Sequence, residues 1–392
     1  MTKLGTPDVV GRFNLGSIIA TPIIMFANLQ LRSVLATDAK NQYRLQDYVG
    51  VRLLVLPFAF LVVLAVAMLG YRSEQVLIIG LFACARCVES LSDLLYGYAQ
   101  KNERLDLVAR SLVIKGFVTL LGFGVTFAVT RHLGWAMVGL VIAWSIPLLF
   151  FDLPRARKIV AEHPLDRLWP RWKKGPIISL MRLSLPLGFV MLLLQMRHTV
   201  PRTVLEGNFG EGELGIFSAL AYLVIVGDTI VQALSQSSLA RLAVFYRQGD
   251  HRRFGRTVLN LVGFGLVMGA VGVLAAHFIG RQLLTVIYSS EYGAHHRLFV
   301  LIMAGGGLFY ISSMLGSPAT AMRAFGGQMA IQIVTVVLLT GLSLALIPGR
   351  GAYGAALVML GGGAWTALGY GILVWRGYHR MSLGKPTQGD AG

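Results

Sequence analysis

The sequence predicts an all-α polytopic membrane protein: eleven transmembrane helices, five in a first bundle and six in a second. Three observations carry the helical membrane class. The 392-residue chain is 55% hydrophobic and only 14% charged, where soluble domains carry about a quarter charged residues. Lys and Arg number 35 against 18 Asp and Glu, a net charge of +17. In so apolar a chain, a basic excess reads first as membrane topology. Eleven apolar runs approach the roughly 20 residues a helix needs to cross a bilayer. Lipid forces every backbone polar group to bond within its own segment, which leaves helices as the spanning element. This composition excludes a soluble globular domain and a disordered chain. Two cysteines are too few for a disulfide framework.

The runs follow in order. The first is Phe13–Leu29, with Pro22 as an expected kink, and the second is Val49–Leu69, with Pro57. The third, Gln75–Tyr98, holds Arg86, Glu89 and Asp93, and the fourth, Asp106–Val129, holds Arg110 and Lys115. The fifth, Leu133–Phe151, contains Pro147 and leads into the longest connection, 152–177. That connection carries Arg155, Arg157, Lys158, Arg167, Arg171, Lys173 and Lys174, with Trp169 and Trp172 beside Pro170. Basic and aromatic residues in this mixture belong at a headgroup interface, so it reads as a cytoplasmic linker dividing a bundle 1–168 from a bundle 169–392. Ile178–Met196 holds Arg182 and Pro186, and Leu214–Leu239 holds Asp228, Gln232 and Gln236. Val258–Ile279, Leu298–Pro318, Met329–Ile347 and Ala352–Trp375 complete the set.

Lys and Arg total 21 in the loops on one side of these runs and 9 on the other. The bias predicts a cytoplasmic C-terminus and, with eleven spans, an external N-terminus. Met1–Ala36 imitates a signal peptide, with Lys3 and Arg12 before an apolar run, but an internal repeat argues against that reading. Gly5 and Val10-Gly11-Arg12-Phe13 open the first run, as Gly210 and Leu214-Gly215-Ile216-Phe217 open the seventh. Lys40, Tyr43, Arg44 and Tyr48 then match Tyr246, Arg247, Arg252, Arg253 and Phe254, and Ala99-Gln100-Lys101 matches Ala321-Met322-Arg323. Matches in one shared order indicate duplication, as in many transporters. The alignment assigns five spans to the first half and six to the second; a helix before Gly5 would complete 6 + 6.

Several of these segments resemble bacterial polysaccharide-export flippases. They are Gly11-x-Phe13 entering a run with Pro22, Leu31-Arg32-Ser33-Val34-Leu35-Ala36-Thr37-Asp38, Tyr48-Val49-Gly50-Val51-Arg52 and Leu214-Gly215-Ile216-Phe217-Ser218-Ala219-Leu220. Leu283–Tyr292 is similar to that family's segment before its tenth helix, although Ser289-Ser290-Glu291-Tyr292 departs from the usual Gly-Pro-x-Tyr/Phe. The resemblance implies the multidrug/oligosaccharidyl-lipid/polysaccharide exporter superfamily: two bundles forming a V around a cavity, with the usual first helix absent here. It further implies a transporter that flips polyprenyl-diphosphate-linked oligosaccharide across the bacterial inner membrane by alternating access. Its partners would be the lipid-linked oligosaccharide, the bilayer, H⁺ or Na⁺ as coupling ion, and other polysaccharide assembly proteins. No cofactor, metal or nucleic acid is expected. The alternatives are a drug/cation antiporter of the same superfamily and a non-transporting membrane scaffold.

Ionisable residues inside a span cost at least about 2.5 kcal/mol and call for a partner, a cavity or a function. Arg86, Glu89 and Asp93 are spaced three and four apart, hence on one helix face. Runs three and four fold into a hairpin near Asn102; depth along it predicts the structural pairs Glu89–Lys115 and Asp93–Arg110. Arg86 is then left without an acid and becomes the leading candidate for the substrate's diphosphate, with Arg182 as its counterpart in the second half. Asp228, at the depth of Arg182, either forms a structural pair with it or is the coupling candidate, on a polar face continued by Gln232 and Gln236. Arg32 and Arg52 are weaker substrate candidates that are expected to snorkel to the interface.

The remaining motifs are structural. Cys84-Ala85-Arg86-Cys87 has redox spacing but lies inside a span, where packing explains it. Gly305-Gly306-Gly307 and Gly361-Gly362-Gly363 suit close helix contact, and His295-His296 reads as a solvent-facing pair. The chain has no Walker A loop, no HExxH and no acid-rich loop for a metal–diphosphate site, so an enzyme is not expected.

Overall fold

The computed structural model describes residues 6–38, 42–322 and 324–382, and these are helical almost throughout. Lys3, Gly5, Lys40 and Arg323 lie outside the described residues. The spans are α1 (Pro7–Ala27), α2 (Leu45–Gly70), α3 (Ser73–Lys101), α4 (Leu105–Thr130) and α5 (Leu133–Ala161). Then come α6 (174–209), α7 (211–247), α8 (His251–Ile287), α9 (His296–Ala321), α10 (325–350) and α11 (352–382). Two pairs of spans join through single glycines rather than loops. Gly210 (φ 79°) separates α6 from α7, and Gly351 (φ 55°) separates α10 from α11, a backbone region that side chains with a Cβ rarely enter. Across the second break, Glu213 Oε2 accepts the backbone N–H of Ala352 at 3.2 Å, a carboxylate set at the start of a helix.

The surface is apolar, as lipid requires. Leu69, Phe117, Leu121, Phe150, Leu259, Phe278 and Val337 are exposed, while Arg52, Asp47 and Asp152 are buried.

The chain divides into two compact units between Thr199 and Val200. The expected boundary at 168/169 therefore moves. The early part of α6 packs with the first unit: Ile177 and Leu180 join its core beside Tyr43, Leu45 and Tyr48, and Tyr43 and Ser179 share a 2.7 Å hydroxyl hydrogen bond. The basic linker is held to the same unit. Arg171 donates to Asp47 through Nε at 2.9 Å and through its backbone N–H to the Gln46 carbonyl at 3.1 Å. Gln46 Oε1 accepts the N–H of Arg167, and Tyr98 donates its hydroxyl hydrogen to Asp166 at 3.0 Å.

Glycines set the close crossings. A Cβ on Gly139 of α5 would meet the carbonyl oxygen of Gly122 of α4 at 2.3 Å, and Gly122 lies in a π-helical stretch, Leu120–Val125. A second π-helical stretch, Leu148–Asp152, lies in α5. In the second unit Gly269 faces Gly307, and Gly363 faces the Gly305 carbonyl; the glycine triplets are contact surfaces. Cys84 and Cys87 are free and half-buried in α3.

Candidate functional site

The polar interior of the first unit is organised by α3. Steps of three and four residues place Arg86, Glu89 and Asp93 on one face, and each finds a partner. Glu89 accepts from Lys115 of α4 through one carboxylate oxygen and from Arg86, one turn earlier on its own helix, through the other. The Lys115 ammonium also lies 4.0 Å from the centre of the Trp144 ring of α5, within cation–π range. Trp144 donates its indole N–H to Thr119 at 2.9 Å, and Thr119 donates to the Lys115 carbonyl at 2.6 Å. The expected Glu89–Lys115 pair is thus part of a larger assembly with two cations on one carboxylate. Arg86, expected to lack an acid, is ion-paired with Glu89. A guanidinium aimed at a neighbouring carboxylate on the same helix is a poor free anion receptor.

Asp93 departs from expectation as well. Arg32 donates to it at 3.1 Å, while Arg110 is exposed. The reason is helical phase: five residues at 100° each place Arg110 about 140° from Lys115, so when Lys115 faces α3 Arg110 turns away. Arg32 reaches Asp93 because the chain turns after α1 through Leu29 and Gln30, both at positive φ (49° and 51°). A short helix, Leu31–Thr37, follows. Its backbone lies against Gly97, where a Cβ would meet Arg32 atoms at 2.9 Å. The Arg32 guanidinium also lies 5.6 Å from the Tyr96 ring centre.

Arg52 does not snorkel. It is fully buried, two turns inside α2, about 10 Å from the helix start. Its Nη1 donates to Asn28 Oδ1, the same oxygen that accepts the Ser90 hydroxyl. Its Nε and Nη2 are buried without hydrogen-bond partners, and among the described residues no carboxylate lies within ion-pair distance of it. The acid-free cation of this unit is therefore Arg52. Asn28, Ser90 and Trp144, which hold these charges, escaped sequence reasoning because uncharged side chains in apolar runs carry no depth signal.

Asp228 of α7, in the second unit, accepts from Gln232 at 2.9 Å and from Ser313 of α9 at 3.2 Å. The polar strip continues where Ser235 and Ser317 share a 2.7 Å hydrogen bond. Gln236 is exposed on the same helix. Arg182 is exposed on α6 and belongs to the first unit, so the depth match with Asp228 joins residues of different units.

Among the described residues, eleven long apolar helices in two compact units define a multi-span membrane protein. Two solved structures share the fold. One is the lipid II flippase MurJ in an inward closed conformation, with TM-score 0.74 and 12% identity over 97% of this chain and 86% of that one. The other is an inward-facing multidrug resistance MATE family transporter, with TM-score 0.72 and 12% identity over 97% and 92%. In sequence, the chain is 28% identical over 360 residues to the capsular polysaccharide biosynthesis protein CapF of Staphylococcus aureus, covering 92% of this chain and 89% of that protein. No protein-family profile matches the chain.

Proposed function

We propose that this protein is a non-enzymatic flippase. It moves a polyprenyl-diphosphate-linked oligosaccharide from the cytoplasmic to the outer face of a bacterial inner membrane, with its C-terminus in the cytoplasm. The observation that carries the substrate class is the charge balance inside the first unit. Inside it the cations Arg32, Arg52, Arg86 and Lys115 outnumber the acids Glu89, Asp93 and Asp152 by one, and among the described residues no carboxylate lies within ion-pair distance of Arg52. A diphosphate supplies the oxygen acceptors such a guanidinium lacks, and its planar fork bonds two of them at once. A drug-cation antiporter needs the opposite polarity, so this balance favours the anionic lipid.

Roles follow. Arg52 replaces Arg86 as the leading diphosphate contact; Arg32 flanks it. Arg182 is a secondary contact along α6. Asp228 is the candidate coupling group, binding H⁺ or Na⁺, since an ion shifts a conformational equilibrium only through differential affinity for its states. Glycan export at matched protein level tests the assignment. Arg52→Lys keeps a fraction of export and Arg52→Gln loses it, while undiminished export by Arg52→Gln cells removes Arg52 from the mechanism.

A further inference from the structure

The two ends of the second unit carry unlike charge. Around the Gly210 and Gly351 breaks and between α8 and α9, four arginines meet four glutamates among the described residues. At the opposite end, where α7 stops, α8 starts and α11 runs out, seven arginines meet a single acid, Asp250. Asp250 is taken by Arg253, through the backbone N–H at 3.0 Å and Nε at 3.3 Å. Arg247, Arg252, Arg256, Arg376 and Arg380 are exposed, and among the described residues no carboxylate lies within ion-pair distance of them. Arg252 with Arg256, and Arg376 with Arg380, are like charges four residues apart on one helix, an arrangement that repels and that a bound anion relieves. Packed rings hold these turns in place. Tyr246 of α7 lies 5.7 Å from the buried Phe254 of α8, and Tyr378 of α11 lies 6.5 Å from the His251 ring, between ring centres.

The last turns of α11 show what the arginines meet. Leu368, Ile372, Trp375, Arg376, His379 and Arg380 recur at spacings of three and four, so they share one face, and all are exposed. The chemistry along this stripe changes in depth order. Two aliphatic side chains come first, then the Trp375 indole stacked on the His379 imidazole with ring centres 5.8 Å apart, then two guanidiniums. Trp375 lies 23 residues beyond Ala352, where α11 starts. That is about 35 Å along the axis, just past a hydrocarbon core of about 30 Å. The stripe therefore runs from acyl chains into the headgroup layer, with tryptophan at the boundary. A soluble anion reaches the arginines but not the aliphatic part of the stripe; a phospholipid covers both.

We propose that this end of the second unit binds acidic phospholipids. The acyl chains lie along Leu368 and Ile372, and the phosphate sits at Arg376 and Arg380, whose planar forks bond phosphate oxygens in pairs. Arg247, Arg252 and Arg256 draw further acidic headgroups to the same rim. The site stands independently of the transported substrate.

Native mass spectrometry of the full chain, titrated in detergent with phosphatidylglycerol or phosphatidylcholine, tests this. An arginine beside acidic headgroups contributes about fivefold in affinity. Wild type should retain phosphatidylglycerol in preference to phosphatidylcholine. Arg376→Gln with Arg380→Gln should weaken phosphatidylglycerol binding about 25-fold and leave phosphatidylcholine unchanged. Arg376→Lys with Arg380→Lys should fall between, since charge remains without the fork, and keeps the test decisive if the glutamine variant fails to fold. Arg281→Gln with Arg297→Gln removes the same charge from the opposite end and should bind like wild type. Equal retention of the two lipids by wild type, undiminished phosphatidylglycerol binding without Arg376 and Arg380, or an equal loss without Arg281 and Arg297 would overturn the proposal. Displacement of phosphatidylglycerol by equimolar inorganic phosphate would also overturn it, in favour of a free-phosphate site.

Discussion

Lys115 of α4 and Glu89 of α3 form an ion pair inside the first unit, and Glu89 serves a second cation, Arg86, at the same time. The arrangement is asymmetric. Removing Lys115 leaves a neutral Arg86–Glu89 pair, whereas removing the Glu89 charge strands two cations.

Glu89→Gln should therefore lower the yield of folded protein more than Lys115→Gln does. Stranded buried charges cost several kcal/mol, and partial exposure of Glu89 reduces this to about 1–3 kcal/mol. The double variant Glu89→Gln with Lys115→Gln still strands Arg86 and should stay below Lys115→Gln alone. Fluorescence-detected size exclusion and thermal unfolding of the three proteins check the order, and full recovery in the double variant would show that Arg86 does not depend on Glu89.

The linker clamp should be sensitive to Asp47. Its carboxylate accepts from Arg171 and from the backbone N–H of Arg44, and charge-assisted hydrogen bonds contribute about 1.5–3 kcal/mol each. Asp47→Asn should expose the linker, so that trypsin cleaves near Arg167, Lys173 and Lys174 about tenfold faster, the factor that 1.4 kcal/mol represents. Cleavage rates equal to wild type would show that Gln46 and Asp166 hold the linker alone.

The crossing of α4 and α5 predicts a contrast between two glycines. Gly139→Ala places a methyl group 2.3 Å from the Gly122 carbonyl oxygen, while around Gly116 of α4 nothing lies within 4 Å of a Cβ. Overpacking costs about 1–3 kcal/mol, so Gly139→Ala should lower the thermal midpoint in detergent and Gly116→Ala should leave it unchanged or raise it.

These residues also show how far the sequence could be read. Span positions and the Glu89–Lys115 pair were legible because helix length and hairpin depth are linear in residue number. Arg110 could have been rejected as a partner by its phase relative to Lys115. The Arg32–Asp93 pair was beyond reach, since it depends on a reversal at Leu29 and Gln30, where neither residue announces a positive φ. Snorkelling of Arg52 assumes a free path to the interface, whereas Asn28, itself held by Ser90, captures the side chain. Apolarity ends at Asp152, which places the start of the linker there from sequence alone, although the helix continues to Ala161.

The central claim, a lipid-diphosphate flippase with Arg52 at the anion, is tested most directly by reconstitution. Proteoliposomes would hold the purified chain and a short polyprenyl-diphosphate oligosaccharide, with leaflet transfer followed by protection from an impermeant glycosidase. The account predicts transfer by wild type, partial transfer by Arg52→Lys and background transfer by Arg52→Gln at equal incorporation. Background transfer by wild type, or wild-type transfer by Arg52→Gln, would contradict it.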